Sequence, residues 1–248
     1  ENVKDAQATA ATEIARCCAA LLKTHQKLSQ MSDYSATFYM RERVAGKLLA
    51  KQQVALRVRH RPFSVHLKWV DDGREVVFVE GRNNDRLVVK PGGLAALVGT
   101  LELEPAGARA MEETRYPITE AGMLVLVEKL IAYQKPLVKD ATGATCQMVS
   151  DLYEGEDCDS YVLTYDDPST CDGYAKTTLH ISRESGLLVS IENYGFDKSS
   201  ESGTSLIEHY VYTNVKPDVG FNDGDFSLTR SGFTGRIRTA VAQRNASQ

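Results

Sequence analysis

The chain of 248 residues carries a formal net charge of −4, and its pI lies near 5.8. That balance argues against a dedicated nucleic-acid binder, whose surface needs a basic surplus. The 42% hydrophobic fraction is ample for a core, while no apolar run reaches the roughly 18 residues of a membrane span.

The first residue is Glu1 rather than Met. An upstream piece is therefore expected to have been removed: a signal peptide, a lipid-anchor segment or simply a choice of boundary. Residues 4–31 are Ala-rich and lack Pro and Gly. Ile14, Cys18, Leu21, Leu22 and Leu28 recur at helical spacing, which predicts a long amphipathic helix.

Three long strands are expected next, over 34–47, 48–60 and 62–69. In the second, Val54, Leu56, Val58 and His60 share one face, and Ala55, Arg57, Arg59 and Arg61 share the other. Alternation of this kind marks a sheet with one dry and one wet face. Asp71-Asp72-Gly73 turns the chain into a fourth strand, 74–80, which is apolar on both sides and so belongs at the sheet centre or under a double cover. A fifth strand spans 86–90, and Pro91-Gly92-Gly93 then breaks the pattern.

Residues 97–103 read as a strand or an irregular lid, and 105–111 as a short helix. A second helix is expected over 119–134, capped by Thr119, with Leu124, Val127, Leu130 and Ile131 facing the sheet. Five more strands follow at about 144–153, 159–166, 174–182, 187–195 and 204–215, separated by segments rich in turn formers. Two strand blocks with helices segregated to one side are an α+β signature. Residues 231–248 form a polar tail, mobile or briefly helical.

Cys17, Cys18, Cys146, Cys158 and Cys171 make an odd set without zinc-ligand spacing. At least one thiol is free or pairs between chains. Cys146, Cys158 and Cys171 lie in one acidic β-rich stretch and could supply one disulfide, or all five could be small core fillers. Residues 140–175 hold nine acids and no Lys or Arg, but no loop fits the EF-hand spacing, and solvated turns account for them.

Motifs for catalysis are lacking. There is no G-x-S-x-G, H-E-x-x-H or Walker-type loop, and His25, His60, His66, His180 and His209 are scattered. His180 and Cys171 offer only a remote thiol/imidazole pairing. No catalytic residue, metal or cofactor is expected.

A family resemblance rests on particular residues. They are Asp33-Tyr34, Ala36 and Phe38; Arg57 and Arg59; Pro62-Phe63-Ser64-Val65; Lys68-Trp69; and Gly73-Arg74-Glu75-Val76. Tyr116-Pro117-Ile118-Thr119-Glu120-Ala121-Gly122 extends the match, as do the run from Glu208 to Val215, Val219-Gly220-Phe221 and Asp225-Phe226. Over about residues 10–230 the chain resembles a family of secreted bacterial proteins of unassigned function. Its fold is similar to the outer-membrane lipoprotein carriers and their mycobacterial lipid-binding relatives. The resemblance implies one α+β domain over 1–230. Its fold would be a strongly curved antiparallel half-barrel of ten to eleven strands, with the long N-terminal helix and further helices plugging the concave face. It also implies a periplasmic or secreted setting. Residues 151–173, long and acid-rich, depart from the pattern and leave the register there open.

A carrier needs an apolar concavity with a movable cover, because a permanently exposed patch aggregates. The candidate inward residues are Phe38, Met40, Leu56, Val58, Phe63, Val65, Leu67, Trp69, Val77 and Val79, with Leu124, Val127 and Leu130 as the helical plug. The same side chains equally suit a plain sealed core. Arg41, Arg43, Arg57, Arg59 and Arg61 form a basic stripe for lipid head groups or an acidic partner, or else a solvated face paired with Glu42 or Glu75. The function expected is non-enzymatic binding or transport of a lipid or lipoprotein acyl chain, with peripheral membrane contact and no nucleic acid. The alternative is an envelope assembly protein that docks a protein partner without carrying a ligand.

Overall fold

The computed structural model describes residues 3–228; the expected tail at 231–248 lies outside them. Helix α1 (Val3–Gln30) leads into strands β1 (Asp33–Val44), β2 (Lys47–Leu48), β3 (Gln52–Arg59), β4 (Ser64–Trp69), β5 (Glu75–Val79), β6 (Leu87–Lys90) and β7 (Leu101–Leu103). Helix α2 (Met123–Lys139) follows, then β8 (Ala144–Tyr153), β9 (Glu156–Tyr165), β10 (Tyr174–Ser182), β11 (Leu188–Phe196) and β12 (Thr204–Pro217). The described strands form one curved, open, antiparallel sheet in the order β7-β6-β5-β4-β3-β1-β12-β11-β10-β9-β8, with the two-residue β2 paired to β1. Two meanders thus meet at β1 and β12, whose pairing runs from Tyr34↔Pro217 to Glu42↔Glu208.

Side-chain alternation assigns the faces. Tyr34, Ala36, Met40 and Glu42 of β1, and Val54, Leu56 and Val58 of β3, are buried on the concave side. The intervening Arg41, Arg43, Arg57 and Arg59 point to the convex side. The hairpin between β1 and β2 turns through Ala45 (φ 48°) and Gly46 (φ 81°), a two-residue turn that matches the twist of its strands.

Both helices join the concave core. Ile14, Cys17, Leu21 and Leu28 of α1 are buried there, and Thr24 is buried as well, its hydroxyl donating to the Gly186 carbonyl at 2.8 Å. Leu22, counted in the apolar stripe, is 47% exposed. It lies about 100° around the helix from Leu21, so both cannot face the same wall. Helix α2 begins at Met123 rather than Thr119; residues Ile118–Glu120 form a separate 3-10 turn. Gly122 (φ 101°) makes the junction, where a Cβ would come within 3.0 Å of the Tyr34 hydroxyl. That hydroxyl accepts the Met123 N–H at 2.8 Å and fixes the start of α2 to β1. The helix then runs through Pro136 to Lys139. Residues 105–111, expected as a short helix, are irregular turns, and the strand expected from 97 starts at Leu101 after a 3-10 turn over Gly93–Val98.

Val77 and Val79 require a correction. Register pairs Val77 with His66 and Val79 with Ser64, whereas Val76 and Phe78 pair with the inward Leu67 and Val65. Val77 and Val79 therefore lie on the convex face, buried with Phe226 and packed by Phe221 and Leu228. Strand β5 is apolar on both sides because both sides are covered, so alternation alone could not choose its inward face. The covering segment is pinned by several groups. Asp33 accepts from the Phe221 N–H at 3.0 Å, Asn222 and Asp225 form a reciprocal cap, and Arg59 donates to Asp223 at 2.9 Å. Arg57 and Arg59 also stack over the Phe221 and Phe226 rings, 5.5 and 5.0 Å from their centroids.

Phe226→Ala should remove the centre of this cover and cost about 3 kcal/mol of stability. Urea denaturation should show this as a lowered midpoint with an unchanged slope.

Candidate functional site

The helices do not fill the whole concavity. α1 packs against α2 and beside β8, and the space in front of β3–β7 is left to α2 and the segment 91–122. A cavity of about 480 Å³ remains there, within the range of small-ligand sites. Its apolar wall is formed by Phe38, Met40, Leu56, Leu67, Trp69 and Val76. Leu101 and Leu103 of β7 extend that wall, Ala95, Pro105 and Ala110 close the cavity from the irregular segment, and Leu130 from α2. Trp69 is held in place by its indole N–H, which donates to Gln52 at 2.5 Å, and by the Arg74 guanidinium, 4.0 Å from its ring. Leu94 and Leu97 stand on the rim turn and are 92% and 91% exposed.

Six of the predicted inward residues thus line the cavity: Phe38, Met40, Leu56, Leu67, Trp69 and Leu130. Val58, Phe63, Val65, Leu124 and Val127 belong to the packed core beside it, and Val77 and Val79 lie on the far side of the sheet. The basic stripe is largely engaged within the chain. Arg41 donates to the Leu49 carbonyl at 3.3 Å, and Arg43 to those of Leu206 and Gly46, each at 3.0 Å. Arg57 and Arg59 hold residues 221–226, while Arg61 is exposed in the turn before β4. The stripe is therefore in good part a clamp for the chain's own C-terminal segment rather than a free docking surface.

Sequence reasoning missed a polar group in the same cavity. Glu208 accepts from Asn193 (2.7 Å), Tyr174 (2.9 Å), Tyr116 (3.3 Å) and the Arg115 Nε (2.9 Å). Glu42, beside it across the β1–β12 pairing, accepts from the Tyr210 hydroxyl and from the Arg115 backbone N–H at 3.1 Å. Burial pushes the Glu42 carboxyl above its ordinary range, and the nearby Glu208 adds to the rise, while hydrogen bonds from Tyr210 and Arg115 offset part of it. Burial opposes the Arg115 charge, yet the Glu208 carboxylate holds the guanidinium more firmly protonated than usual. Burial raises Tyr116 to about 12, with Glu208 contributing, so the phenol stays a donor. The signal for Glu42 was available: an acid sharing strand parity with Phe38 and Met40 must sit on the dry face. Arg115 comes from an irregular segment, where no periodicity points to it.

Elsewhere, Ser160 lies 2.5 Å from Asp151 and 2.6 Å from the His180 Nδ1 on the convex face, with Tyr153 stacked over the imidazole at 3.8 Å. The carboxylate engages the hydroxyl rather than orienting the imidazole, which is not the order a nucleophilic triad uses. Cys171 instead neighbours Tyr165, so the His180/Cys171 pairing does not form. All five cysteines are free and buried. Cys146 and Cys158 sit on opposite faces of the β8–β9 hairpin, so the disulfide considered between them is not made; Cys146 meets Cys17 of α1 instead. Among the described residues, no group of three or more His, Cys, Asp or Glu side chains is gathered to hold a metal, and no helix is long and apolar enough to cross a membrane. A second hollow of about 970 Å³ is lined by α1 and α2 alone and is an open surface groove.

The chain belongs to a family described as protein of unknown function (DUF1571), whose model matches residues 31–233. No curated protein matches it in sequence. Among solved structures it is similar to a DUF1329 family protein from Desulfovibrio piger, at 12% identity and TM-score 0.41, covering 87% of this chain and 97% of that one. It is also similar to the Mycobacterium tuberculosis lipoprotein LppX, at 14% identity and TM-score 0.47, covering 84% and 98%. A third likeness is to the Pseudomonas aeruginosa MucA/MucB complex, at 15% identity and TM-score 0.46, covering 86% of this chain and 61% of that one.

The raised Glu42 sets a pH dependence. Its contribution to stability is present below the ordinary carboxylate value and is lost as pH rises through the higher folded-state value. The stability of Glu42→Gln relative to the parent should therefore improve as pH rises above the ordinary carboxylate range. Paired denaturation curves at several pH values check this, and a flat difference would mean that Glu42 is not strained by burial.

Proposed function

We propose that this protein binds an apolar ligand, a lipid or the acyl chain of a lipoprotein, in its concave cavity and carries or holds it in the cell envelope without chemically altering it. The observation that carries this reading is the cavity itself. A sheet with this dry a face would normally be sealed by its helices; here a space lined by Phe38, Leu56, Leu67 and Trp69 is left open to the irregular segment. Each methylene buried there contributes about 0.8 kcal/mol, so a ten-carbon tail gains about 8 kcal/mol before the costs of association. The partner-docking alternative needs a sealed concavity with a large exposed apolar or basic patch; the cavity favours the ligand reading, and so, for the basic patch, does the engagement of Arg57 and Arg59. The exposed Leu94 and Leu97, on a turn whose Ala95 lines the cavity, suit peripheral contact with a lipid layer at the mouth.

Native mass spectrometry of the purified protein should find adducts of lipid mass that organic extraction removes. Leu67→Trp should fill the cavity and abolish them while the fold is retained; adducts surviving in this variant would place the ligand elsewhere. Leu94→Asp combined with Leu97→Asp should lower co-sedimentation with phospholipid vesicles by about tenfold, as expected when two leucines lose their apolar contact. Unchanged sedimentation would show that the turn does not meet the membrane.

A further inference from the structure

We infer that the cavity selects an amphiphile whose head donates hydrogen bonds, an amine or ammonium foremost, and disfavours anionic heads. This rests on the reading that the cavity holds an apolar ligand, and it assigns the ligand's polar end.

The cavity has two chemically distinct sides. Strands β3–β7, on one side of β1 in the sheet, contribute Leu56, Leu67, Trp69, Val76, Leu87 and Val89. Strands β10–β12, on the other side, contribute Tyr174, Asn193, Glu208 and Tyr210, and β1 adds Glu42 at its end next to β12. All five of these polar residues are buried, yet all border the cavity. An aliphatic ligand alone would leave this polar side facing hydrocarbon, whereas a tail along β3–β7 with a head at Glu42 and Glu208 matches both sides.

Charge decides which head fits. Six carboxylates line the cavity, against three cations, Arg74, Arg109 and Lys129. Within the polar cluster two carboxylates stand against one guanidinium, that of Arg115, which pairs with Glu208 while Glu42 takes only the Arg115 backbone N–H. Glu208 Oε1 already accepts three donors, whereas the Glu42 carboxyl meets the Tyr210 and Thr114 hydroxyls and the Arg115 backbone N–H across its two oxygens. Each carboxylate oxygen has two lone pairs, so acceptor capacity remains at Glu42. An ammonium brings three donors and the missing positive charge. A carboxylate or phosphate head brings a like charge up against Glu42 and Glu208.

The test titrates the purified full chain with dodecylamine, dodecan-1-ol and dodecanoate at neutral pH, each below its micelle threshold. Binding is read by calorimetry and by emission of Trp69, the chain's one tryptophan. Dodecylamine should bind about tenfold tighter than dodecanoate, with the alcohol between them. Glu42→Gln and Glu208→Gln, each checked for native circular dichroism, should narrow that ratio. Dodecanoate binding as well as the amine overturns the head-group assignment while leaving the apolar-ligand reading intact. A ratio unchanged in a folded Glu42→Gln variant likewise overturns it. Failure of all three probes to bind overturns both. Should Glu208→Gln fail to fold, Glu42→Gln and the parent's own ratio still decide.

Discussion

The antiparallel pairing of β1 with β12 is the constraint on which the molecule depends. Each meander alone is a sheet with a free edge and half a dry face. Joined at the register Tyr34↔Pro217 to Glu42↔Glu208, they become one curved wall with a shared concave side. The same seam carries Tyr34, which fixes the start of α2, and it brings Glu42 and Glu208 together, which hold Arg115 of the irregular segment before α2. Scaffold, plug and cover are therefore all referred to one pair of strands.

The cavity follows from an imbalance in that arrangement. Helix α1 is tied to the second meander through Thr24 and Gly186 and packs beside β8. The first meander has no long helix of its own. It is covered by α2 and by the chain between β6 and α2, and a cavity is left between them and the sheet. The convex side of the same meander has the opposite fate: Phe226 and its neighbours seal Val77 and Val79. One sheet thus has a closed back and a hollow front.

Much of the scaffold was legible because burial enforces periodicity. Val54, Leu56 and Val58 alternate with Arg57 and Arg59, and the structure keeps that alternation strand by strand. Legibility ended where that one-sided rule ended. Strand β5 is apolar on both sides, so its inward residues were chosen wrongly. Residues 105–111 carry helix formers but also Pro105 and Gly107, and they close only local turns, because a few residues of helix propensity are a weak prior. The polar cluster was half visible. Glu42 and Glu208 stand at inward positions of their strands, but the arginine that joins them comes from a loop without pattern.

The seam between β1 and β12 also governs the order in which the chain can take shape. Tyr34 and Pro217 are partners across nearly the full length of the sequence, so the central ladder cannot close until almost the last strand is available. Contacts of such long range make folding slow, because a large loop must be closed before it is rewarded. Until then one edge of β1 is an unpaired template.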